Sequence, residues 1–518
     1  KYNHFDKKII VFLGFRMGRD NLVLRQAGYL YLQVQLSLPP LPHWHCSFVS
    51  AMGVHRSKVQ NGTIEDAYPA KYWPGDSIQD HLEFALKYDG VNLGILKQIF
   101  EVVPEVKIVE MIRKKPTGKY ARKIWFFYEF LTTKVLPLEN LTMGNYVDAL
   151  EVDLYFTIEK GEKSPRHRVV NNLLGPRNFC PIIRKTEKLI KIDTTILRKK
   201  CEDMIKAYPK DLLKRALNYL YLKETKSSYE IEHIKPNPSK TEKFITALEH
   251  AERKDFFEKK LLVELQNMIV DPRFQDTDYR KTQNYIGQTV TYQKELIHYI
   301  SPKPENIDNL MQGLLDSHFI MKKGGVPAII HAAAISYGFV FIHPFEDGNG
   351  RIHRFLIHNI LSTQGLVPPG LMFPVSAVML KNQADYEDSL EAFSRPLMSF
   401  IEYNLDQLGQ LTVTNETAFL YQSIDMTTQT EALFSFVTKT IDEEIVEELN
   451  FLAKYDKTKK AVQEIIDMPD RLIDLFIQVC LQNNGKLSSR KKEAHFEFLT
   501  TAELSAMEQA IKDGYELG

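Results

Sequence analysis

The sequence predicts a mainly α-helical fold with a mixed α/β region at its N-terminal end. From Asp193 onward, apolar residues recur at the spacing of helical faces. Residues 282–300 are the exception, because apolar and polar side chains alternate there as in a β-hairpin. Residues 326–342 form an apolar run that is shorter than a usual membrane span and contains His331 and Ser336, so we expect a buried helix there.

These patterns divide the chain into three regions. We expect a mixed α/β region of unassigned fold at residues 1–195, an all-α core with a short hairpin at 196–410, and a helical region at 411–518. A small winged-helix unit around the basic segment Ser488–Lys492 is one alternative for the last region.

The first region contains patterns of both kinds of secondary structure. Alternation of apolar and polar residues predicts strands at Gly28–Ser37 and Val147–Ile158. Amphipathic spacing predicts helices at Asp80–Tyr88, Leu93–Phe100 and Lys119–Leu136.

The rest of the chain is predicted to be helical apart from the hairpin, which has Gly287 near its tip. The expected helices span residues 195–207, 210–223, 239–251, 257–270, 304–317, 327–341, 350–364, 384–394, 396–409 and 430–455, and short helices follow from about residue 470.

The composition excludes several classes of protein. The 518 residues include 66 Lys+Arg and 66 Asp+Glu, and this zero net charge argues against nonspecific attraction to nucleic acid or anionic membrane. The four cysteines form no CxxC pair, which is typical of a protein in a reducing compartment. No secretory signal is visible. We therefore expect a cytoplasmic protein with no nucleic-acid or membrane partner.

The most informative segment is His343–Arg354, which reads HPFEDGNGRIHR and lies between two predicted helices. Gly348 and Gly350 allow the loop to bring backbone N–H groups close to a ligand. A helix that begins at about Gly350 adds the positive end of its dipole, which favours a bound phosphate. Arg351 and Arg354 lie on one face of that helix and near its positive end, where a bound anion would offset their charge.

Two further side chains complete a set that is typical of phosphoryl or nucleotidyl transfer. Asp347 supplies the hard oxygen ligand that a phosphate-bound Mg²⁺ requires. His343 can take up a proton near neutral pH.

The segment resembles the signature HxFx[D/E]GNGRxxR of the Fic family and matches it at every fixed position. The resemblance implies an all-α core that transfers AMP from ATP to a hydroxyl group of a target protein. It implies that His343 is the general base, that Phe345 anchors the loop in the core, and that Asp347 binds Mg²⁺.

The same resemblance implies how the phosphates are held. Gly348, Asn349 and Gly350 would form the anion hole, and Arg351 and Arg354 would contact the β- and γ-phosphates.

A second similarity to the family lies about 110 residues before the motif. Many Fic proteins carry an inhibitory helix with the pattern [S/T]xxxE[G/N], whose glutamate pairs with the second motif arginine and blocks the γ-phosphate. Ser228 and Glu232 have this spacing, so the resemblance implies that Glu232 pairs with Arg354 and inhibits the protein. His233 departs from the pattern, which has Gly or Asn at that position, and Glu230 is a competing carboxylate without the right spacing.

The hairpin at 282–300 resembles the flap with which Fic proteins hold a target segment by strand pairing. Its docking edge is assigned to Thr282, Gln283, Asn284, Tyr285, Ile286 and Gly287. A structural hairpin that only covers the core is the alternative. Tyr386 falls where Fic chains often complete the nucleotide pocket, although a buried core tyrosine would explain it equally well.

The leading hypothesis is a protein adenylyltransferase that uses ATP and Mg²⁺ and is self-inhibited by Glu232. Its partner would be a target protein with a Ser, Thr or Tyr hydroxyl, which could be a second copy of the chain, and a homodimer is compatible with this. One alternative is a Fic scaffold that transfers UMP, phosphate or phosphocholine. Another is a DNA-binding or interaction protein with a vestigial Fic core.

Overall fold

The computed structural model describes residues 24–517 except 52, 61, 252, 292, 293 and 407. These residues form two compact units. The first comprises the described residues up to 150 together with 162–171, and the second comprises 151–161 and the described residues from 172 onward.

The first unit contains two small β-sheets and several helices, which confirms the predicted mixed α/β character of this region. In its four-stranded sheet the strands lie in the order Leu24–Ala27, His45–Ser50, Thr63–Pro69 and Arg56–Gln60, with the two central strands parallel and the outer pairs antiparallel. The strands are β1 (Leu24–Ala27), β2 (His45–Ser50), β3 (Arg56–Gln60), β4 (Thr63–Pro69), β5 (Val147–Asp148), β6 (Glu162–Ser164) and β7 (Val169–Asn171), and the last three form a second sheet. The helices are α1 (Gly28–Gln35), α2 (Ile78–Phe84), α3 (Leu93–Val102), α4 (Glu105–Lys114) and α5 (Lys119–Thr132).

The predicted strand at Gly28–Ser37 is wrong, because this segment forms helix α1. The helix is fixed by partners about fifty to sixty residues further along the chain. His81 Nδ1 accepts from the Gly28 N–H at 3.2 Å, and Asp89 Oδ2 accepts from the Tyr29 N–H at 3.0 Å. Acceptors at a helix N-terminus satisfy donors that have no partner within the helix. The alternating sequence carries no sign of these contacts.

The predicted strand at Val147–Ile158 is also wrong beyond its first two residues. Only Val147–Asp148 pairs with β7. After that the chain turns, because the carbonyl oxygen of Glu151 accepts from the backbone N–H groups of both Leu154 and Tyr155.

The second unit is helical, which confirms the mainly α fold class. The helices are α6 (Thr194–Ala207), α7 (Lys210–Glu230), α8 (Pro238–Ala251), α9 (Lys259–Ile269), α10 (Pro304–Lys323), α11 (Ala328–Ile342), α12 (Asn349–Thr363), α13 (Val375–Lys381), α14 (Gln383–Leu397), α15 (Ala418–Gln422), α16 (Thr427–Lys439), α17 (Ile445–Ile465), α18 (Asp470–Leu481), α19 (Ser489–His495) and α20 (Thr501–Tyr515). The strands are β8 (Tyr285–Thr291), β9 (Lys294–Ile300), β10 (Tyr403–Leu405) and β11 (Leu411–Val413), which form two separate hairpins.

Helix α11 is the centre of this unit. Every residue from Ala328 to Ile342 is buried, as the apolar run predicts. Helices α10, α12 and α16 pack around it. A helix that is apolar on all sides needs such a complete cover, so the loop that follows it starts from a rigid support.

Two expectations about the later helices need correction. The helix predicted at 396–409 is replaced by the end of α14, a 3₁₀ turn and the hairpin of β10 and β11. The side chain of Asp406 accepts from the N–H groups of Leu408 and Gln410, and Gly409 has a φ of +78°, so a tight turn forms there. The helix predicted at 430–455 is divided into α16 and α17 by a π-helical turn at Thr440–Glu444.

The C-terminal part, from α17 to α20, has an apolar core of its own that includes Phe476, Phe496 and Met507. No strand lies between residues 414 and 517. The region therefore lacks the β-hairpin that a winged-helix unit would require. The division into 1–195, 196–410 and 411–518 stays a prediction.

Within the described parts of both units, no helix combines the length and the apolar character that crossing a membrane would require.

Buried histidines predict how the stability of the protein depends on pH. Burial lowers the pKa of His43, His81 and His343 to about 4 and that of His353 to about 3. In the unfolded chain these groups take up protons below about pH 6.5, whereas the folded protein leaves them neutral until about pH 4. The unfolded state thus binds more protons in this window, and stability falls as the pH falls from 6.5 to 4.

We expect calorimetry to give a thermal midpoint several degrees lower at pH 5 than at pH 7. The variant His353→Gln should reduce this slope, and a substitution of the exposed His250 should not. A midpoint that does not change between pH 7 and 5 would contradict the prediction.

Candidate active site between helices α11 and α12

The candidate site is a short loop between the two most buried helices of the second unit. Helix α11 ends at Ile342, and His343 reverses the chain with a φ of +53°. Gly348 has a φ of +90° and is the residue before α12. A Cβ atom at Gly348 would lie 2.9 Å from Cγ1 of Val270, so both conformation and space require glycine there.

The side chain of Asn349 closes this loop on itself. Its Oδ1 accepts from the Phe345 N–H at 3.0 Å, and its Nδ2 donates to the Phe345 carbonyl oxygen at 2.7 Å. Phe345 itself is fully buried, which agrees with its expected role as an anchor. Both polar atoms of the Asn349 side chain are engaged within the loop, and its backbone N–H lies at the start of α12.

Arg280 supports the first half of the loop, and sequence reasoning missed it. Its Nε donates to the His343 carbonyl oxygen at 2.8 Å, and its backbone N–H donates to that of Pro344 at 2.8 Å. Its Nη2 donates to Oγ of Ser301 at 2.9 Å, at the end of β9. The guanidinium is buried, and burial lowers its pKa to about 10, so it stays charged at neutral pH.

A second pair supports the other half of the loop. Gln266 on α9 is buried and donates through Nε2 to the Asp347 carbonyl oxygen at 3.3 Å and to Asp276 Oδ2 at 3.2 Å. Asp276 in turn accepts from the Glu346 N–H at 3.2 Å. Neither Gln266 nor Asp276 belongs to a local pattern, so the sequence gives no signal for them.

His343 is positioned as a neutral base. Its Nδ1 lies 3.1 Å from the Val340 carbonyl oxygen, which can only accept, so the proton of the neutral ring is on Nδ1. Burial lowers the pKa of the imidazole to about 4. The lone pair is therefore on Nε2, and at neutral pH this nitrogen can accept a proton.

The start of α12 provides an anion-binding surface. The first N–H groups of a helix have no acceptor within it, and these belong here to Asn349, Gly350 and Arg351. The side chains of Arg351 and Arg354 project from the same turn, and each is only 2% exposed. Two buried guanidiniums at the positive end of a helix dipole need a counter-anion.

Glu232 is that counter-anion in this structure. Its Oε2 accepts from Arg351 Nε at 2.8 Å, and its Oε1 accepts from Arg354 Nη2 at 2.7 Å. The sequence resemblance implied only the pair with Arg354, so the contact with Arg351 is an addition. Glu230, the competing carboxylate, is exposed and has no part in the cluster.

Ser228 joins the same cluster through its side chain and its backbone. Arg354 donates from Nε to Ser228 Oγ at 2.9 Å and from Nη2 to the Ser228 carbonyl oxygen at 2.6 Å. On the other side, Nη1 of Arg354 lies 3.5 Å from the hydroxyl of Tyr386. Tyr386 is buried, so it is both a core residue and a neighbour of the arginine.

The end of α7 explains why His233 is tolerated. His233 has a φ of +57°, the left-handed conformation that Gly and Asn adopt most easily. The N–H of His233 donates to the carbonyl oxygen of Glu230, and the N–H of Ile234 donates to that of Tyr229. These two bonds form a Schellman motif that closes the turn after α7, so Glu232 lies directly before the left-handed residue His233. The departure from the family pattern therefore leaves the helix end in place.

Gly350 allows the close approach of Glu232. A Cβ atom at this position would lie 2.5 Å from Glu232 Oε1 and 3.2 Å from Arg354 Nη1. The glycine therefore leaves space for an anion above the N-terminus of α12.

Asp347 offers one carboxylate oxygen to a metal ion. Its Oδ1 accepts from the Gly348 N–H and from Arg351 Nη2 at 2.7 Å, and Oδ2 accepts no hydrogen bond from the described residues. Three or more potential metal-ligating side chains do not cluster anywhere among those residues. A single carboxylate fits Mg²⁺, which usually keeps waters and phosphate oxygens as its other ligands.

The hairpin that was predicted as a flap is present and consists of β8 and β9, and its role in holding a target segment stays a prediction. Strand β8 begins at Tyr285, so Thr282, Gln283 and Asn284 precede it. Thr282 Oγ1 donates to Glu346, and Asn284 Nδ2 donates to the Phe345 carbonyl oxygen at 3.3 Å, which ties the flap to the motif loop.

The middle of strand β8 is exposed at Ile286, Gly287 and Gln288. Ile286 is 47% exposed, and Gly287 lies at a register shift of the two strands. The expectation that Gly287 is near the tip is wrong, because β8 continues to Thr291. Gly287 marks a bulge, which a sequence pattern cannot distinguish from a turn.

The comparisons with known sequences agree with the motif. A sequence model of the Fic/DOC family matches residues 256–361. The chain is 30% identical over 131 residues to the protein adenylyltransferase Fic of Nematostella vectensis, which covers 24% of this chain and 26% of that protein. It is 29% identical over 161 residues to that of Culex quinquefasciatus, which covers 29% and 28%. The chain thus matches little more than a quarter of the length of these curated relatives.

Two solved structures give weaker matches. A Fic family protein from Desulfovibrio desulfuricans superimposes with a TM-score of 0.36 and 17% sequence identity, over 64% of this chain and 85% of that protein. A Fic-domain signaling protein from Bacteroides thetaiotaomicron gives the same two values over 50% of this chain and 96% of that one.

Proposed function

Because residues 256–361 form a Fic/DOC family domain, we propose that this chain is a protein adenylyltransferase that Glu232 holds in an inhibited state. The curated relatives carry the name protein adenylyltransferase. The observation that carries the proposal is the carboxylate of Glu232 between Arg351 and Arg354, at 2.8 and 2.7 Å. It occupies a position at which a phosphate oxygen would be equally well stabilised.

The proposed reaction exchanges one phosphorus–oxygen bond for another. A Ser, Thr or Tyr hydroxyl oxygen of the target bonds to the α-phosphorus of ATP. The bond from this phosphorus to the bridging oxygen of the β-phosphate breaks, and pyrophosphate leaves with the electron pair. The hydroxyl proton passes to Nε2 of His343, since Nδ1 already donates to Val340.

Charge stabilisation comes from the first turn of α12. The N–H groups of Asn349, Gly350 and Arg351 point along the helix axis toward a bound phosphate. Arg351 and Arg354 add two guanidiniums, which can hold phosphate oxygens in a forked geometry. Because the loop is held by its own internal hydrogen bonds, these donors need little reorganisation when charge develops.

Asp347 is the residue that would hold Mg²⁺. The ion would neutralise phosphate charge when bound with ATP. In the inhibited arrangement Asp347 pairs with Arg351, so a bound cation would compete with this ion pair.

Inhibition follows from two helix dipoles. Glu232 lies at the negative end of α7, and Arg351 lies at the positive end of α12, so each charge is disfavoured by its own helix. Their pairing cancels both penalties. A triphosphate must displace this carboxylate to reach the arginines, and the unmodified protein should therefore be weakly active.

The test uses the full chain, Mg²⁺ and ATP labelled at either the α- or the γ-phosphate. We expect Glu232→Gly to incorporate the α-label about tenfold or more faster than the wild type, with little γ-label. The matched control is Glu230→Gly, which removes an exposed carboxylate two residues away and should behave as the wild type.

Mass spectrometry of the modified protein identifies the transferred group. A γ-label or a phosphate adduct would exclude AMP transfer and favour the phosphotransfer alternative. Equal labelling of Glu232→Gly and the wild type would contradict inhibition by Glu232.

A further inference from the structure

The inhibitory helix α7 is held by helix α17 and by the π-helical turn Thr440–Glu444 that directly precedes it. Lys223 on α7 pairs with both Glu444 and Glu448. Arg215, about two turns earlier, pairs with Asp456. The ion pairs therefore follow the length of the helix whose end positions Glu232.

Glu444 is the most buried member of this contact. Its side chain is 2% exposed, and its Oε2 accepts from Nζ of Lys381 at 2.6 Å. Its other oxygen faces Lys223. A buried carboxylate requires such compensation, and it thus links α7, α13 and the start of α17 at one point.

The next residue of α7 is fixed by other elements. Glu224 is fully buried and accepts from the Ser376 N–H at 2.8 Å. Its Oε1 also lies 2.8 Å from Nε2 of His358, which is one turn beyond Arg354 on α12. Lys223 and Glu224 together therefore connect α7 to the start of α17, to α12 and to α13.

Glu224 lies on the same face of α7 as Ser228, and Glu232 follows in the turn after the helix. Glu224, Ser228 and Glu232 follow one another at intervals of four residues. A small rotation or shift of α7 at Glu224 would therefore move the carboxylate of Glu232 relative to the arginines.

The π-helical turn at Thr440–Glu444 explains why Glu444 faces inward. An extra residue in the turn changes the direction of the side chains that follow, and such turns are frequent at functional sites. Asp442 and Glu443 in the same turn remain exposed. Of the three neighbouring carboxylates in this turn, only that of Glu444 therefore faces Lys223 and Lys381.

We infer that α17 is a clamp on the inhibitory helix and that Glu444 is a positioning residue for Glu232. The inference rests on the proposed function and adds a mode of regulation to it. An event that moves α17 away from α7 would free Glu232 from the arginines and open the site to a triphosphate.

The experiment compares Glu444→Gln with Glu443→Gln in the full chain, by the α-label assay. We expect Glu444→Gln to label about fivefold or more faster than the wild type and Glu443→Gln to equal it. In the Glu232→Gly background, Glu444→Gln should add nothing, because both changes act through the same contact. Glu448→Gln, at the second partner of Lys223, should give a smaller increase in the same direction.

Hydrogen exchange gives a readout that does not depend on activity. We expect faster exchange in the peptide that spans 223–232 of Glu444→Gln, with α11 and α12 still protected. Loss of protection throughout α11 and α12 would make Glu444 a general structural residue and overturn the inference.

Failure of the clamp and failure of the proposed function are distinguishable. If Glu232→Gly labels strongly while both Glu444→Gln and Glu448→Gln match the wild type, the clamp is wrong and the function stands. If Glu232→Gly does not label, the function is wrong, and the exchange measurement still decides whether α17 holds α7.

Discussion

Replacing His343 by alanine in the Glu232→Gly background is expected to reduce AMP labelling by about 10²- to 10⁴-fold, the usual contribution of a general base. The reason is geometric. The Nδ1 proton is committed to the Val340 carbonyl oxygen, so Nε2 is the only nitrogen of the ring that can take the hydroxyl proton. The measurement is the initial rate of α-label incorporation, with thermal midpoints recorded for both variants.

His353→Ala is not a suitable control, because that histidine is buried in the core, and the exposed His250→Ala is used instead. A second check is the pH course of the Glu232→Gly rate. Since burial lowers the pKa of His343 to about 4, the base stays unprotonated from pH 8 to about pH 5, and the rate should not fall through the usual histidine range near 6.5. Labelling that persists without His343, in a folded variant, would remove the general-base assignment.

Replacing Arg354 by alanine in the same Glu232→Gly background is expected to reduce labelling by about 10²- to 10³-fold, as for other donors to developing charge. Because Arg354 is only 2% exposed, bulk water does not take over the hydrogen bonds of its guanidinium when the side chain is removed. Its guanidinium reaches Ser228 and Tyr386 as well as Glu232, so it is fixed in orientation before a phosphate binds.

The conservative variant separates charge from geometry. Arg354→Lys keeps a positive charge, but an ammonium group lacks the planar fork that donates to both Ser228 Oγ and the Ser228 carbonyl oxygen. We therefore expect most of the loss of labelling to remain. The exposed Arg395→Ala should retain full labelling. Activity of Arg354→Ala equal to that of its parent would show that this arginine does not contact the phosphates.

The local patterns were informative where a residue and its neighbours in sequence act together. The motif His343–Arg354 identifies the loop, the helix that follows and the two arginines, because all of these depend on contacts within twelve residues. The spacing of Ser228 and Glu232 predicted, for the same reason, a segment that reaches the motif arginines, and both residues do contact Arg354. The apolar run at residues 326–342 also predicted the buried helix α11 within a residue or two.

Local patterns failed where a distant residue decides the outcome. Helix α1 alternates like a strand but is fixed by His81 and Asp89. Arg280 stands in no motif, yet it holds the carbonyl oxygen of His343 from 63 residues away.

The sequence by itself determined the class of fold, the reactive loop and the chemistry that its side chains support. Only the tertiary structure decided that Glu232 joins both arginines, that Asn349 is used within the loop, and that Glu444 faces the inhibitory helix. The physical reason is that side-chain periodicity records which face of an element is buried. The partner buried against that face is set by how the helices pack, and it can be far away in sequence, as for Lys223 and Glu444, which are about 220 residues apart.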